Sequence, residues 1–188
     1  MVEYFDVVDE NDKPTGKRTT KAKAHEKGIL HRLVAVYVFD KQGRLYVQDH
    51  KLSRLLDHSV GGHVSAGEDY ATAAKREAEE ELGLKSQKLE PVFLSLYSDE
   101  MFNMDVQTTS QMHQFGIFEC QPSDDWKFVP NEEVERIFPE TMENIVAQMN
   151  MRPGRFTPGM INTMAKFIEV KNLPLKLNIA ACRKNWGK

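Results

Sequence analysis

The sequence predicts an α/β domain, because strand-like apolar runs lie on both sides of a segment that favours a helix. Residues 30–39 form a nearly continuous apolar run, which suits a strand covered on both faces. Residues 69–82 contain no Pro or Gly and are rich in Ala, Glu, Lys, Arg and Leu, which favours a helix. Apolar runs at 91–97 and 112–120 follow the helix and are typical of strands. Strands before and after a helix are the pattern of an α/β fold.

The composition of the chain indicates one ordinary globular domain. Its 188 residues, 40% of them hydrophobic, are enough for one well-buried core, so we expect a single domain over 1–188. The formal net charge of −3 argues against a nucleic-acid partner. We expect no membrane segment, because no stretch approaches the roughly 18 apolar residues that a spanning helix needs. The two cysteines, Cys120 and Cys182, suit neither a disulfide framework nor a zinc site, which favours a reducing, cytoplasmic setting.

The N-terminal part of the chain is expected to supply a hairpin and two further strands. A short strand is predicted over Tyr4 to Val8, and the turn-forming residues 9–16 that follow it indicate a hairpin. Residues 17–28 are polar and basic. After the strand at 30–39, the turn Lys41–Gly43 leads into another strand over 44–48.

We expect a loop between the strands at 91–97 and 112–120, and a largely helical segment after them. A loop of a length that often carries specificity is predicted over 99–109. A strand ending near Phe138 precedes an amphipathic helix from Pro139 to Met149, whose apolar face we expect to be buried within the chain, with a homodimer left open. A second helix is predicted over 158–170, with Pro in its first turn. The basic segment 171–188 is expected to be disordered or docked on the surface, or else to face phosphate or a second copy.

The helix over 69–82 carries an unusual density of acid. Gly83 ends it, and Ser65 and Glu68 have the spacing of a capping box at its start. Three of its glutamates are related as i, i+3 and i+4 and therefore lie within an arc of roughly 100°, namely Glu77, Glu80 and Glu81. Glu79 points away, and a neighbouring apolar stripe is predicted at positions 71, 74, 78 and 82. The three carboxylates repel one another, so a hard divalent cation is expected among them, the alternative being a solvated acidic face.

Residues 62–84 resemble the Nudix box, G-x5-E-x7-R-E-U-x-E-E-x-G-U, in which U is a bulky apolar residue. Gly62, Glu68 and the run 76–84 fill the pattern, and Ala78 is the one position smaller than usual. Nine specified positions over 23 residues make this a highly specific match. The resemblance implies an α/β/α sandwich with a mixed β-sheet between helices.

The resemblance also implies a hydrolase that cleaves a diphosphate linkage in a small-molecule substrate with the help of Mg²⁺ or Mn²⁺. The metal ligands would be the three carboxylates of the box, Glu77, Glu80 and Glu81, and one of them would deprotonate the attacking water. Arg76 would orient a carboxylate by ion pairing, and Glu68 would support the site from the loop. Two glycines would permit the turns that flank the helix, Gly62 and Gly83.

Outside the box, the chain resembles isopentenyl-diphosphate isomerase, an enzyme with the Nudix fold. The shared features are spread over most of the chain and comprise Pro14–Gly16, His25, His31, the turn at 41–43, Gly62-His63 and residues 156–158. In that family, histidines at the positions of His25, His31 and His63 bind a divalent metal together with two glutamates of a later strand. Here Gly61 stands in place of the isomerase's catalytic cysteine, and residues 111–113 contain no acid.

These departures favour a hydrolase of the isomerase-like branch. The alternatives are an isomerase-like prenyl diphosphate enzyme and a catalytically silent ligand-binding module of the same fold. The histidines are either structural or substrate-contacting, or they hold a second metal in which a fourth one, His113, replaces the missing carboxylate. Nucleoside diphosphates, nucleotide sugars and isoprenoid diphosphates all stay open as substrates.

Overall fold

The computed structural model of the protein describes residues 2–50, 54–85, 87–104, 107–132 and 134–186. Within these ranges the chain forms nine strands and five α-helices. The strands are β1 Tyr4–Val8, β2 Pro14–Thr20, β3 His31–Val38, β4 Leu45–His50, β5 Leu56–Asp57, β6 Val60–His63, β7 Glu90–Met104, β8 Gln107–Cys120 and β9 Val134–Glu140. The helices are α1 Lys21–Lys27, α2 Tyr70–Leu82, α3 Met142–Met151, α4 Pro158–Val170 and α5 Ile179–Asn185, with a short 3-10 helix at Pro153–Arg155.

A four-stranded mixed sheet in the order β6-β3-β8-β7 forms the centre of the molecule. Strand β3 runs parallel to β8 and antiparallel to β6, and β7 runs antiparallel to β8. Strands β5, β4 and β9 form a second, three-stranded sheet, and β1 with β2 forms the predicted hairpin. The mixed sheet that the sequence predicts is thereby confirmed.

Helices cover both faces of the central sheet. Because successive strand residues point to opposite faces, Val34 and Val36 of β3 pack in one core with the alanines of α2, while Ala35 and Tyr37 pack in another core with α3 and α4. Val34 to Val38 are all 0% exposed. This two-sided burial explains the continuous apolar run of β3 and confirms the α/β/α sandwich.

Helix α2 spans Tyr70–Leu82, in agreement with the helix predicted over 69–82, but its N-terminal cap differs from the expected one. Its N-cap is Asp69, whose side chain accepts a hydrogen bond from the backbone N–H of Thr72, and Gly83 ends it at φ +64°. The expectation that Ser65 and Glu68 cap the start of the helix is wrong. The Glu68 side chain accepts a hydrogen bond from the backbone N–H of Ser65 at 3.0 Å, and this bond closes the loop that precedes the helix. The apolar stripe also differs, because Ala71 is exposed and position 73 is buried in its place.

Two predicted boundaries downstream are wrong. Strands β7 and β8 continue as an antiparallel pair through the stretch 99–109 expected to be a loop, with Asp99 opposite Met112; residues 105 and 106 lie outside the described ranges. Strand β9 continues through Pro139 to Glu140, and helix α3 begins only at Met142. Pro139 is tolerated there because β9 is an edge strand of its sheet.

The C-terminal part packs onto the sheet as helices. Helix α4 has the predicted bounds, and the apolar face of α3 is buried within the chain as expected, at 8% exposure or less for Met142, Ile145, Val146 and Met149. Residues 179–185 of the basic segment form α5, which buries Cys182. Next to α5, the indole N–H of Trp186 donates to the carbonyl of Phe156 at 2.8 Å. The described part of this segment is therefore docked on the domain.

Candidate active site

The acidic face of α2 lines a cavity of about 590 Å³ between this helix and the ends of the sheets. Strand β6 forms one wall, and Gln48 of β4 and Asp57 of β5 form another. The cavity contains the three carboxylates that the helical spacing predicts, together with Arg76. Lys21, at the start of α1, adds a second cation to the lining.

Arg76 links the carboxylates of the motif to one another. Its Nη1 lies 2.7 Å from Oε1 of Glu77 and 3.1 Å from Oε2 of Glu80, and its Nη2 lies 2.9 Å from Oε2 of Glu68. Nη2 also donates to the carbonyl of His63 at 2.9 Å. The hydrogen bond to Glu68 is the main cause that raises the pKa of Arg76, followed by its bond to Glu77. Arg76 thus fixes Glu77 and Glu80 relative to strand β6.

The glutamates of α2 differ in burial. Glu77 and Glu81 are 8% and 7% exposed, whereas the side chains of Glu80 and Glu79 are 51% and 55% exposed. Glu81 accepts hydrogen bonds from Nε2 of Gln48 at 2.9 Å and from the backbone N–H of Gly61 at 3.4 Å. Burial raises the pKa of Glu81 well above its usual value, and the nearby charge of Glu77 raises it further.

This donor set fits a divalent cation. Two buried carboxylates next to each other are costly unless a positive charge lies between them, and carboxylate oxygens are the ligands that Mg²⁺ and Mn²⁺ prefer. Glu80, at the rim, contributes a third carboxylate that is open to solvent. Glu79 lies outside the cavity lining and pairs with Lys85 at 3.7 Å.

Gly62 has a different role from the one expected. It lies within strand β6, paired with Val34, so it permits no turn, and that expectation is wrong. A Cβ at position 62 would lie 2.5 Å from Cγ of Glu77 and closer still to Cδ and Oε1. The glycine is therefore needed because the Glu77 side chain passes directly over the strand. Gly83, by contrast, adopts the left-handed conformation that the end of α2 requires.

Asp57 is a cavity residue that sequence reasoning missed. Its Oδ1 accepts from the hydroxyl of Thr157 at 2.6 Å and lies 2.8 Å from Nδ1 of His58. Burial acts to raise the pKa of Asp57, but His58 and the hydrogen bonds outweigh it and hold the pKa below its ordinary value. Only the pairing of β5 with β4, which places Asp57 opposite Gln48, brings it to the cavity.

The four predicted histidines come together from four different elements: His25 of α1, His31 of β3, His63 of β6 and His113 of β8. One ring nitrogen of each lies within 4.8 Å of the others. Burial is the first cause that lowers the pKa of each of them, to about 4 in the case of His25. His63 also lines the acidic cavity, so the two groups are neighbours.

A model of the NUDIX domain matches residues 29–159, which include the cavity-lining residues of β4, β5, β6 and α2. The chain belongs to the Nudix family. Isopentenyl-diphosphate Delta-isomerase of Pectobacterium atrosepticum is 32% identical over 165 residues, which cover 85% of this chain and 88% of the relative. An uncharacterized Nudix hydrolase of Streptomyces coelicolor is 42% identical over 103 residues, which cover 52% of this chain and 56% of the relative.

Solved structures support the Nudix fold independently. A Deinococcus radiodurans protein superposes with a TM-score of 0.63 at 23% identity, covering 87% of this chain and 97% of its own. A MutT protein of Methanosarcina mazei superposes with a TM-score of 0.55 at 15% identity, covering 77% of this chain and 96% of its own. Among the described residues of this Nudix chain, no helix is long and apolar enough to cross a membrane.

Proposed function

We propose that the protein is a divalent-metal-dependent hydrolase that cleaves a diphosphate linkage in a small organic substrate. The observation that carries this proposal is the convergence of Glu77, Glu80 and Glu81 on one cavity, two of them buried side by side. An acid-lined cavity repels an anionic substrate unless cations are present. The carboxylates therefore favour a substrate that arrives together with a metal ion, as diphosphates do.

Glu77, Glu80 and Glu81 would hold Mg²⁺ or Mn²⁺, which when bound would neutralise the diphosphate and make a nearby water more acidic. A carboxylate of the cluster would accept the proton of the water that attacks phosphorus. Arg76 would keep Glu77 and Glu80 in place, since it contacts both and is itself held by Glu68. Lys21, which also lines the cavity, would offer an ammonium group to a phosphate oxygen.

The test is hydrolysis of a panel of nucleoside diphosphates, nucleotide sugars, dinucleotides and isoprenoid diphosphates with Mg²⁺ and with Mn²⁺. Glu81→Gln or Glu80→Gln should lower the turnover by about 10²-fold or more and leave folding intact. The matched control is Glu79→Gln, because Glu79 is on the same helix but outside the cavity. Full activity in both Glu80→Gln and Glu81→Gln would refute the proposal.

A prenyl diphosphate isomerase is the second candidate function, favoured by the 32% identity to an isomerase over 165 residues. Against it, Gly61 lines the cavity at the position that the resemblance assigns to the catalytic cysteine, and glycine has no side chain to move a proton to or from carbon. Incubation with isopentenyl diphosphate in heavy water distinguishes the two. Carbon-bound deuterium in the product would favour the isomerase, and release of phosphate would favour the hydrolase.

Three further expectations accompany this proposal, and they concern a silent binding module, the cellular setting and a homodimer. A silent binding module would bind no Mg²⁺ in calorimetry, whereas a hydrolase would. A cytoplasmic setting fits two cysteines that are both free and buried, Cys120 and Cys182. A homodimer stays a prediction to be checked by light scattering.

A further inference from the structure

The charge of the chain is distributed unevenly along the sequence. Residues 150–188 contain eight Lys and Arg and a single acid, Glu169, so this stretch carries a formal charge of +7. Because the whole chain has a formal net charge of −3, residues 1–149 carry −10. A local excess of one sign creates a field of that sign around its part of the surface, whatever the total charge of the protein.

We propose that the exposed cations around helix α5 form a surface that docks on an anionic lipid membrane. This basic surface consists of Arg152, Arg155, Lys176, Arg183 and Lys184, together with the apolar side chain of Met151. The proposal concerns a partner outside the acidic cavity and does not depend on the proposed hydrolysis.

The cations of the basic surface lack acidic partners. Two other cations of residues 150–188, Lys166 and Lys171, pair with Glu169 and Glu119. The five cations of the basic surface are exposed, and none of them forms an ion pair with another residue that the structure describes. At physiological ionic strength, exposed charges act over about 8 Å before salt screens them. Their charge is therefore available to an external anion.

Hydrogen bonds hold the segments that carry these cations together. Nδ2 of Asn150, at the end of α3, donates to the carbonyl oxygen of Lys176 at 2.9 Å. The thiol of Cys182, on α5, donates to the carbonyl oxygen of Met149 at 3.3 Å. Lys176 and α5 therefore lie beside the end of α3, where Arg152 follows.

The other three cations belong to the same group of helices. Nη1 of Arg155, in the 3-10 helix, donates to Oε1 of Gln148 of α3 at 2.8 Å. Nη2 of Arg183, on α5, donates to Oδ1 of Asn162 of α4 at 3.2 Å. Lys184 follows Arg183 in α5 and is exposed. The basic surface is thus one patch, formed by the end of α3, the 3-10 helix and α5.

The basic surface is separate from the acidic cavity. Helices α3 and α4 and Cys182 of α5 pack in the core on one face of the central sheet, whereas α2 packs in the core on the other face. The described lining of the cavity contains no residue of the basic surface. A phosphate group of a substrate in the cavity therefore does not account for these cations.

Met151 favours a membrane over other polyanions. Its side chain is 71% exposed and it precedes Arg152 directly. Cations attract anionic lipid headgroups, and an apolar side chain among them can enter the boundary between headgroups and acyl chains. RNA, the main competing polyanion, is commonly bound by stacking of its bases on aromatic side chains. Within residues 142–186, all of which the structure describes, no Phe, Tyr or Trp is exposed.

The experiment is cosedimentation of the full chain with vesicles of phosphatidylglycerol and phosphatidylcholine in equal parts. We expect binding at low salt that is lost at high salt, and no binding to vesicles of phosphatidylcholine alone. Each Lys or Arg near an anionic membrane strengthens binding about fivefold. The triple variant Arg152→Gln, Lys176→Gln and Lys184→Gln should therefore bind about 10²-fold more weakly.

The matched control changes the net charge by the same amount at another place. It replaces three exposed cations that lie outside the basic surface, Lys17→Gln, Lys23→Gln and Lys127→Gln. This control should bind anionic vesicles like the wild type, because the location of the charge and not the total decides binding. Both triple variants should melt at the temperature of the wild type, since all six side chains are exposed.

A single variant separates a membrane from RNA. Met151→Gln should weaken binding to anionic vesicles at least about fivefold, because the apolar side chain no longer leaves water, and it should leave any binding to an RNA oligonucleotide unchanged. Absence of vesicle binding by the wild type, equal vesicle binding by the two triple variants, or binding to RNA but not to vesicles would overturn the proposal. A chain that sediments with anionic vesicles but hydrolyses no diphosphate would refute the proposed function and leave the basic surface supported.

Discussion

Gly62→Ala is the substitution for which the structure makes the sharpest prediction. The added methyl group would lie 2.5 Å from Cγ of Glu77, whereas carbon atoms in contact are about 3.5–4.0 Å apart. The Glu77 carboxylate must therefore retreat by at least about 1 Å. Such a shift breaks its 2.7 Å hydrogen bond with Arg76. The loss of a charged hydrogen bond costs about 1.5–3 kcal/mol, which should appear as a lower free energy of unfolding.

The same shift should damage the metal site. A misplacement of about 1 Å in a catalytic constellation costs on the order of 10²-fold in rate. We therefore expect weaker Mn²⁺ binding in calorimetry and, if the protein is the proposed hydrolase, about 10²-fold lower kcat/KM. Urea unfolding of the same samples measures the stability term separately.

The neighbouring glycine provides the control. A Cβ at Gly61 would meet Nδ1 of His58 at 3.5 Å and the carbonyl of Val34 at 3.9 Å, both ordinary contacts, so Gly61→Ala should bind Mn²⁺ like the wild type. In a Glu77→Ala background, Gly62→Ala should cost little stability, because the overlapping atoms are gone. Equal Mn²⁺ affinity and equal stability in Gly61→Ala and Gly62→Ala would refute the reasoning.

Three further changes test other parts of the structure. Asp57→Asn should lower the free energy of unfolding by on the order of 1–3 kcal/mol at pH 7. Because the folded pKa of Asp57 lies below its ordinary value, this contribution is present above about pH 4 and is lost as the pH falls through the folded pKa. The unfolding curves of variant and wild type should therefore converge in acid, and a difference in stability that stays constant with pH would contradict this role of Asp57. Gly116→Ala should lower stability by about 1–3 kcal/mol, because its Cβ would lie 2.5 Å from Cδ1 of Tyr70, and a variant with the melting temperature of the wild type would show that this ring has room to move. Trp186→Ala should expose the buried Cys182 thiol, because it removes the hydrogen bond next to α5 and loosens this helix. A thiol reagent should then label Cys182 at least about fivefold faster, the factor expected if the local stability falls by about 1 kcal/mol. Unchanged labelling would mean that α5 is held by its other contacts.

The sequence predicts well those features that depend on near neighbours along the chain. The bounds of α2 follow from local composition and from Gly83, and the shared face of Glu77, Glu80 and Glu81 follows from helical spacing alone. The start of α4 follows from Pro158. The continuous apolar run of β3 likewise indicated a strand covered on both faces.

The features that were missed depend on partners distant in sequence. Asp57 reaches the cavity only because β5 pairs with β4, and the need for glycine at position 62 is visible only once Glu77 lies over the strand. The stretch after Asp99 has no apolar alternation, yet it pairs with β8 through its backbone, which periodicity does not report. Pro139 is typical of a helix start, so the sequence predicts a helix there, but the residue lies in an edge strand.

The parallel pairing of β3 with β8 has a consequence for the order in which the chain folds. It places His31 opposite His113, residues that are far apart in sequence, with the whole of α2 between them. Closing so long a loop is entropically costly and slow, whereas the β1–β2 hairpin and α2 form from local contacts. The centre of the sheet is thus expected to assemble late during refolding, after the local elements have appeared.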